Sequence, residues 1–264
     1  MTRVLAITNQ KGGVGKTTTS VNLAAGLAQS EKRVLLVDLD PQANATMGSG
    51  IDKRSLKQTV YHVLLGLTTA ESVRCRSESG GYDVLPANRD LAGAEVEIVN
   101  LDKRETRLKA ALMPILGNYD FILIDCPPSL SMLTVNGLAA ADAVMIPMQC
   151  EYYALEGLSD LINTIKQVRQ QLNPTLEIEG LLRTMFDPRN TLALQVSAQL
   201  KEHFGAKVYA TVIPRNVRLA EAPGFGMPGV KFDSTCRGSV AYLALASEVL
   251  GRPPETPTMT GETA

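Results

Sequence analysis

One run near the start constrains this chain more than any other: Asn9-Gln10-Lys11-Gly12-Gly13-Val14-Gly15-Lys16-Thr17-Thr18. The apolar segment Val4-Leu5-Ala6-Ile7 precedes it and reads as a strand. After it, Val21, Leu23, Ala24, Ala25, Leu27 and Ala28 recur at spacings that suit one face of a helix. The glycines therefore stand where a strand turns into a helix N-terminus. There the first backbone N–H groups have no internal partners, and the helix dipole adds partial positive charge. Gly12, Gly13 and Gly15, with Val14 between them, let that backbone close around an anion without Cβ atoms in the way. Lys16 then reaches the outer phosphates of a nucleotide, Thr17 offers its hydroxyl to Mg²⁺, and Thr18 completes the loop. The pattern predicts a nucleotide site.

Two further stretches supply acids. Arg33-Val34-Leu35-Leu36-Val37-Asp38 reads as a buried parallel strand, and Pro41 stops it after Asp38-Leu39-Asp40. The run Phe121-Ile122-Leu123-Ile124-Asp125 has four apolar residues ending in an acid, the Walker B pattern, which presents Asp125 to the metal's water shell. The rigid turn Pro127-Pro128 follows. Cys126 reads as a small buried residue, with redox or cluster ligation as the alternative.

Strands and helices alternate along the rest. A helix is expected from Ser55 to Leu65, a polar turn from Ser77 to Gly81, a strand from Tyr82 to Leu85 and a charged helix from Leu101 to Leu116. Further strands are expected at Ala143–Met148, Leu176–Leu182 and Val208–Ile213. Helices are expected around Leu155–Val168, Leu192–Phe204 and Ser239–Leu250. Tyr152 and Tyr153 are expected to pack inward, with a partner contact as the alternative. Several wholly apolar strands indicate an α/β fold, a single doubly wound, mostly parallel sheet flanked by helices. Its ligand loops belong at the C-terminal strand ends. Residues 1–251 read as one domain, and 252–264 as a Pro- and Thr-rich polar tail expected to be disordered.

Composition narrows the class. The net charge of −1 and 45% hydrophobic content suit a soluble cytoplasmic protein, and no stretch approaches the ~18 to 20 apolar residues of a membrane span. Met1-Thr2-Arg3 runs straight into the first strand, so no signal peptide is expected. The four cysteines form no C-x-x-C pair, which argues against a zinc site or disulfide framework.

The second lysine of the loop, Lys11, makes it Lys-Gly-Gly-Val-Gly-Lys-Thr-Thr. That form resembles the deviant Walker A motif of the ParA/MinD family of P-loop ATPases, and the likeness extends over about residues 3 to 250. Within the family, Val34 to Thr46, Thr184-Met185-Phe186-Asp187 and Val212 to Pro223 are most similar to the ParA/Soj partitioning branch. The resemblance implies ATP, ADP and Mg²⁺ as cofactors and a homodimer in the ATP state, in which Lys11 reaches the partner's nucleotide. It makes Asp40 the acid that positions water, puts Asp38 near Mg²⁺ and the phosphates, and has Met185 and Pro214 sandwich adenine with Asn216 bonding to it. It implies non-specific binding to double-stranded DNA through Arg189 and Arg218, a ParB-like centromere-binding partner that stimulates slow hydrolysis, and a nucleoid location without membrane attachment.

Charge agrees with that expectation: from Arg183 to Arg237 eight Lys/Arg face four acids, a local +4 in a chain of net −1. The segment 187–191 carries Pro188 and Asn190-Thr191 where the branch often has Ala and Thr-Asn, which leaves the local loop open. Three alternatives stand beside this reading: a ParA-like positioner of a protein cargo, a MinD-like membrane-associated regulator, and an iron–sulfur reductase. The membrane regulator requires a C-terminal amphipathic helix, which the polar tail does not offer. Cys126 and Cys150 do not sit in the motif of the reductase.

Overall fold

Asp125 ends the central strand of a sheet whose two flanking strands end at Ile7 and Asp38, in register with it. The computed structural model describes residues 1–251, and the tail reading for 252–264 lies outside the described residues. The first half runs β1 (Arg3–Ile7), α1 (Lys16–Gln29), β2 (Val34–Asp38), α2 (Asn44–Gly48), α3 (Val60–Leu65) and α4 (Ala70–Val73). A hairpin of β3 (Cys75–Ser77) and β4 (Tyr82–Leu85) follows, then α5 (Leu91–Glu97), α6 (Arg107–Leu112) and β5 (Phe121–Asp125). Next come α7 (Met132–Ala140), β6 (Ala143–Met148), α8 (Ala154–Gln171), β7 (Glu177–Phe186) and α9 (Thr191–Phe204). The chain closes with β8 (Val208–Pro214), α10 (Val217–Glu221), α11 (Gly229–Phe232) and α12 (Arg237–Gly251).

The strands form one eight-stranded sheet in the order β3-β4-β2-β5-β1-β6-β7-β8. All neighbours are parallel except the edge pair β3–β4. Because strand side chains alternate between faces, each central strand feeds two cores. Val4, Ala6, Leu35, Val37, Ile122 and Ile124 join the core under α5 to α9. Leu5, Ile7, Val34, Leu36 and Leu123 join the core under α1, α11 and α12. Leu23 and Leu27 of α1 are fully buried there, each contributing about 1.5–3 kcal/mol relative to exposure.

The expected doubly wound sheet is present, with differences in the variable first half. The helix expected from Ser55 starts only at Val60, because Thr59 is extended and takes the N-cap position. The expected helix over Leu101–Leu116 is broken into short turns around α6. Lys103 is left-handed at φ 52°, and Pro114, without an N–H, opens the last turn. Ser77 belongs to β3 rather than to the turn, whose antiparallel partner is β4. The helices α5 and α7 and the short helices after β8 were not anticipated. β7 runs on beyond Leu182 to Phe186, carrying Thr184 and Met185 to the ligand edge.

Candidate active site

The loop after β1 is anchored at both ends. Asn9 donates from its amide to the Pro147 carbonyl of β6 at 2.8 Å and accepts from the Lys11 backbone at 2.9 Å. At the other end Thr184 donates its hydroxyl to the Val14 carbonyl at 2.8 Å. On either side of Val14, Gly13 and Gly15 are left-handed, with φ of 74° and 86°, a conformation that suits glycine and turns successive N–H groups to one side. Gly12 is exposed, and a Cβ on it would meet nothing within 4 Å. Val14 is buried and Thr18 half-buried.

Lys16 is 7% exposed, and its ammonium donates to the Lys11 carbonyl at 3.0 Å. Burial holds its pKa below the ordinary lysine value, against the opposing pull of the Asp125 and Asp40 carboxylates. Lys11 itself is exposed and pairs with Glu151.

Asp125 is fully buried and accepts two hydroxyls at 2.8 Å, from Thr17 on one oxygen and Ser20 on the other. Burial and the neighbouring Asp38 charge push its carboxyl above the usual range. Ser20 was not singled out in the sequence, where its place one turn after Lys16 was the available signal; its hydroxyl also lies within 3.0 Å of the Lys16 carbonyl, to which it donates. Thr17 and Asp125 form a set of hard oxygen donors that fits Mg²⁺. Among the described residues no three His, Cys, Asp or Glu side chains cluster into a cage for a metal ion.

Asp38 stands beside Asp125, its register partner on the neighbouring strand. It is fully buried, and its oxygens accept from the Asp40 amide at 3.1 Å, the Thr46 amide at 2.8 Å and the Thr46 hydroxyl at 2.7 Å. Its carboxylate folds the 38–46 loop, a task set by three donors that lie within eight residues of it. Asp40, half-buried, is shaped by the same loop: it accepts from the Gln42 amide at 2.8 Å, while Ala43 takes a left-handed φ of 55°. Thr46 reaches further, accepting from the Ala87 amide at 3.0 Å. Thr46, Thr184 and Asn9 were missed as site residues because their partners lie far along the chain or depend on a fold already formed.

Met185 and Pro214 come together at neighbouring strand ends, since Phe186 of β7 pairs with Pro214 of β8. Met185 is left-handed at φ 49°, an uncommon backbone for a non-glycine residue. Asn216 caps α10 by accepting from the Leu219 amide at 3.3 Å.

The basic segment is smaller than its count. Arg183 is only 4% exposed and donates to Ser197 Oγ and to the Tyr209 and Ala210 carbonyls, so it belongs to the core. Without it the local excess falls from +4 to +3. Arg189 has an 89% exposed side chain held by Asp187, and Arg218 pairs with Glu221 and Asp233. In the altered 187–191 loop, Asn190 caps α9 by accepting from the Leu192 and Ala193 amides. Tyr152 and Tyr153 do not pack inward: they are 74% and 71% exposed, edge to face on each other at 5.0 Å. Cys126 is buried, and burial pushes its thiol far above the ordinary value, as befits a packing residue.

A family model described as an AAA domain matches residues 2–178. The sporulation initiation inhibitor protein Soj of Bacillus subtilis is 55% identical over 94% of this chain and 98% of its own length. The chromosome partitioning protein ParA of Caulobacter vibrioides is 53% identical over 95% of this chain and 94% of its own length. A crystal structure named cobyrinic acid a,c-diamide synthase from Mycobacterium smegmatis, with an ATP analogue and magnesium, is 40% identical with a TM-score of 0.84. It covers 97% of this chain and 100% of that one.

Proposed function

Because the chain belongs to the ParA/Soj family of chromosome-partitioning P-loop ATPases, we propose that ATP closes two copies into a sandwich that holds DNA and that hydrolysis releases it. The chain is an ATPase that uses ATP and Mg²⁺ and yields ADP. The observation that carries the assignment is the anchored loop with Lys16, whose next residue, Thr17, is bonded to Asp125. The solved structure that resembles it bears another activity's name but shares less identity than the partitioning proteins; what supports the present reading from it is the nucleotide and magnesium.

In this reading residues 1–251 act as one ATPase domain. The loop amides of residues 12–18 and the Lys16 ammonium bind the phosphates, and Met185, Pro214 and Asn216 receive adenine. Thr17 and Asp125, with Asp38 beside them, would hold Mg²⁺, which when bound would neutralise phosphate charge. Asp40, kept in place by the Asp38–Thr46 anchor, orients the attacking water. Phosphoryl transfer needs little more than such positioning and charge neutralisation. Lys11 reaches the partner's phosphates and stabilises charge there.

Arg189 and Arg218 would meet DNA phosphates, giving sequence-independent binding that weakens steeply with salt. A dimer doubles that surface, coupling ATP to DNA affinity. A ParB-like protein would stimulate hydrolysis, and the protein would sit on the nucleoid. Among the described residues no helix is long and apolar enough to cross a membrane.

Retention on non-specific duplex DNA with ATP, ADP or no nucleotide, at two salt concentrations, tests the reading. ATP-dependent, salt-sensitive retention that Arg189→Glu abolishes supports it. ATP-driven dimers that hold no DNA at any salt would overturn the DNA step and move the search to a protein surface.

A further inference from the structure

Lys11 is fastened to its own chain at three points. Its amide donates to Asn9 Oδ1 at 2.9 Å, its carbonyl accepts from Lys16 Nζ at 3.0 Å, and its ammonium pairs with Glu151. Two of these anchors lead to the same segment, because Asn9 is tied to Pro147 of β6 and Glu151 stands in the turn just beyond that strand. The turn is itself fixed: the Glu151 amide donates to the Gln149 carbonyl and the Ala154 amide to the Glu151 carbonyl, both at 3.0 Å. Glu151 is thus a carboxylate on a braced turn, placed where the side chain of a residue 140 positions away meets it.

A lysine ammonium held by a carboxylate of its own chain is not free to approach a phosphate on another. The Lys16 bond supplies the connection to nucleotide. When phosphate takes the Lys16 ammonium, the Lys11 carbonyl loses its donor, and one of the three fastenings opens beside the ion pair. We propose that Glu151 is a positioning residue that holds Lys11 in cis until nucleotide engages Lys16, and then yields it to the partner subunit's phosphates. The proposal rests on the ATP-dimer reading above. The same arrangement recurs at Arg189, whose guanidinium is held by Asp187 through both Nε and Nη2 at 3.0 and 2.9 Å. Cations assigned to outside phosphates are each charge-matched within the chain.

Two measurements on the full chain test it. The first is zero-length carbodiimide cross-linking followed by peptide mass spectrometry. A Lys11–Glu151 amide should form without nucleotide and fall at least severalfold with a slowly hydrolysed ATP analogue and Mg²⁺. The second is the apparent dimer dissociation constant, by analytical ultracentrifugation, for wild type and Glu151→Gln at an analogue concentration well below saturation, where the unpaired chains are mostly empty and latched. Two latches open per dimer built from empty chains, so the variant should dimerise about 2- to 30-fold more tightly, the square of what one exposed ion pair is worth. The difference should vanish near 1 M salt, where the screening length is about 3 Å. Glu151 is exposed, so the neutral variant should fold as the wild type does.

A Glu151→Gln dimer no tighter than wild type, or a cross-link that is absent without nucleotide or persists with it, overturns the proposal. Wild type that stays monomeric with the analogue removes the dimer reading itself. The latch then stands if the cross-link is lost on nucleotide binding and falls if it is not.

Discussion

Thr184 and Val14, 170 residues apart, are joined by a hydrogen bond of 2.8 Å from the threonine hydroxyl to the valine carbonyl. The bond ties the end of β7, which carries Met185, to the middle of the phosphate loop. A nucleotide spanning the two would find both parts already in register. Thr184→Val keeps the shape and removes the donor, leaving a buried carbonyl unpaired. We expect a loss of about 1–2 kcal/mol in loop order, read as roughly 5- to 30-fold weaker ADP binding by calorimetry, with the fold intact.

Asp40 is held by its own loop yet half-exposed, with a carboxylate close enough to oppose, after Asp125, the lowering of the Lys16 pKa by burial. Asp40→Ala should leave ATP affinity within about threefold and lower turnover by at least 10²-fold, as expected for a residue acting on the reacting water alone. Single-turnover phosphate release and nucleotide titration separate the two. Normal turnover by Asp40→Ala would remove its assigned role.

Thr46 donates to Asp38 and accepts from the Ala87 amide, both contacts buried. Thr46→Val deletes a bond to a charged group and strands an amide, so unfolding in urea should show a loss of about 2–4 kcal/mol. Turnover should fall too, because Asp38 then fixes the Asp40 loop with one donor fewer. A variant that loses stability but keeps full turnover would mean that the anchor does not reach Asp40.

Gly137 lies in α7 against the strand that bears Asp125. A Cβ there would stand 2.9 Å from Cys126 Sγ and 3.3 Å from a Leu39 methyl. Gly137→Ala should therefore destabilise by about 1–3 kcal/mol despite the helix propensity of alanine, and Cys126→Ala should recover part of the loss. Additive effects of the two substitutions in urea titrations would contradict direct contact.

The phosphate loop was legible because its chemistry is local: glycines, lysines and threonines at fixed spacing between a strand and a helix. Asp38 and Asp125 were legible as acids for the same reason, each ending an apolar run, whereas the role of Asp40 came from the family resemblance. The alternation of strands and helices was enough to predict the mostly parallel sheet. Periodicity failed where Pro114 and the left-handed Lys103 broke an apparently continuous charged helix.

What the sequence by itself determined was the kind of site and the layers around it, since spacing and side-chain period act within a few residues. Only the tertiary structure decided which of several similar residues does what. Asp38 became a loop anchor because Thr46 folds back onto it, whereas Asp125 took the Thr17 and Ser20 hydroxyls. Arg183 left the basic surface because β8 and α9 close over it with carbonyls and a hydroxyl, while Arg189, six residues on, stayed in solvent. Lys11 met Glu151 because β1 and β6 lie side by side. Burial and pairing of this kind arise between segments far apart in the chain, and their energies exist only once the sheet has brought those segments together.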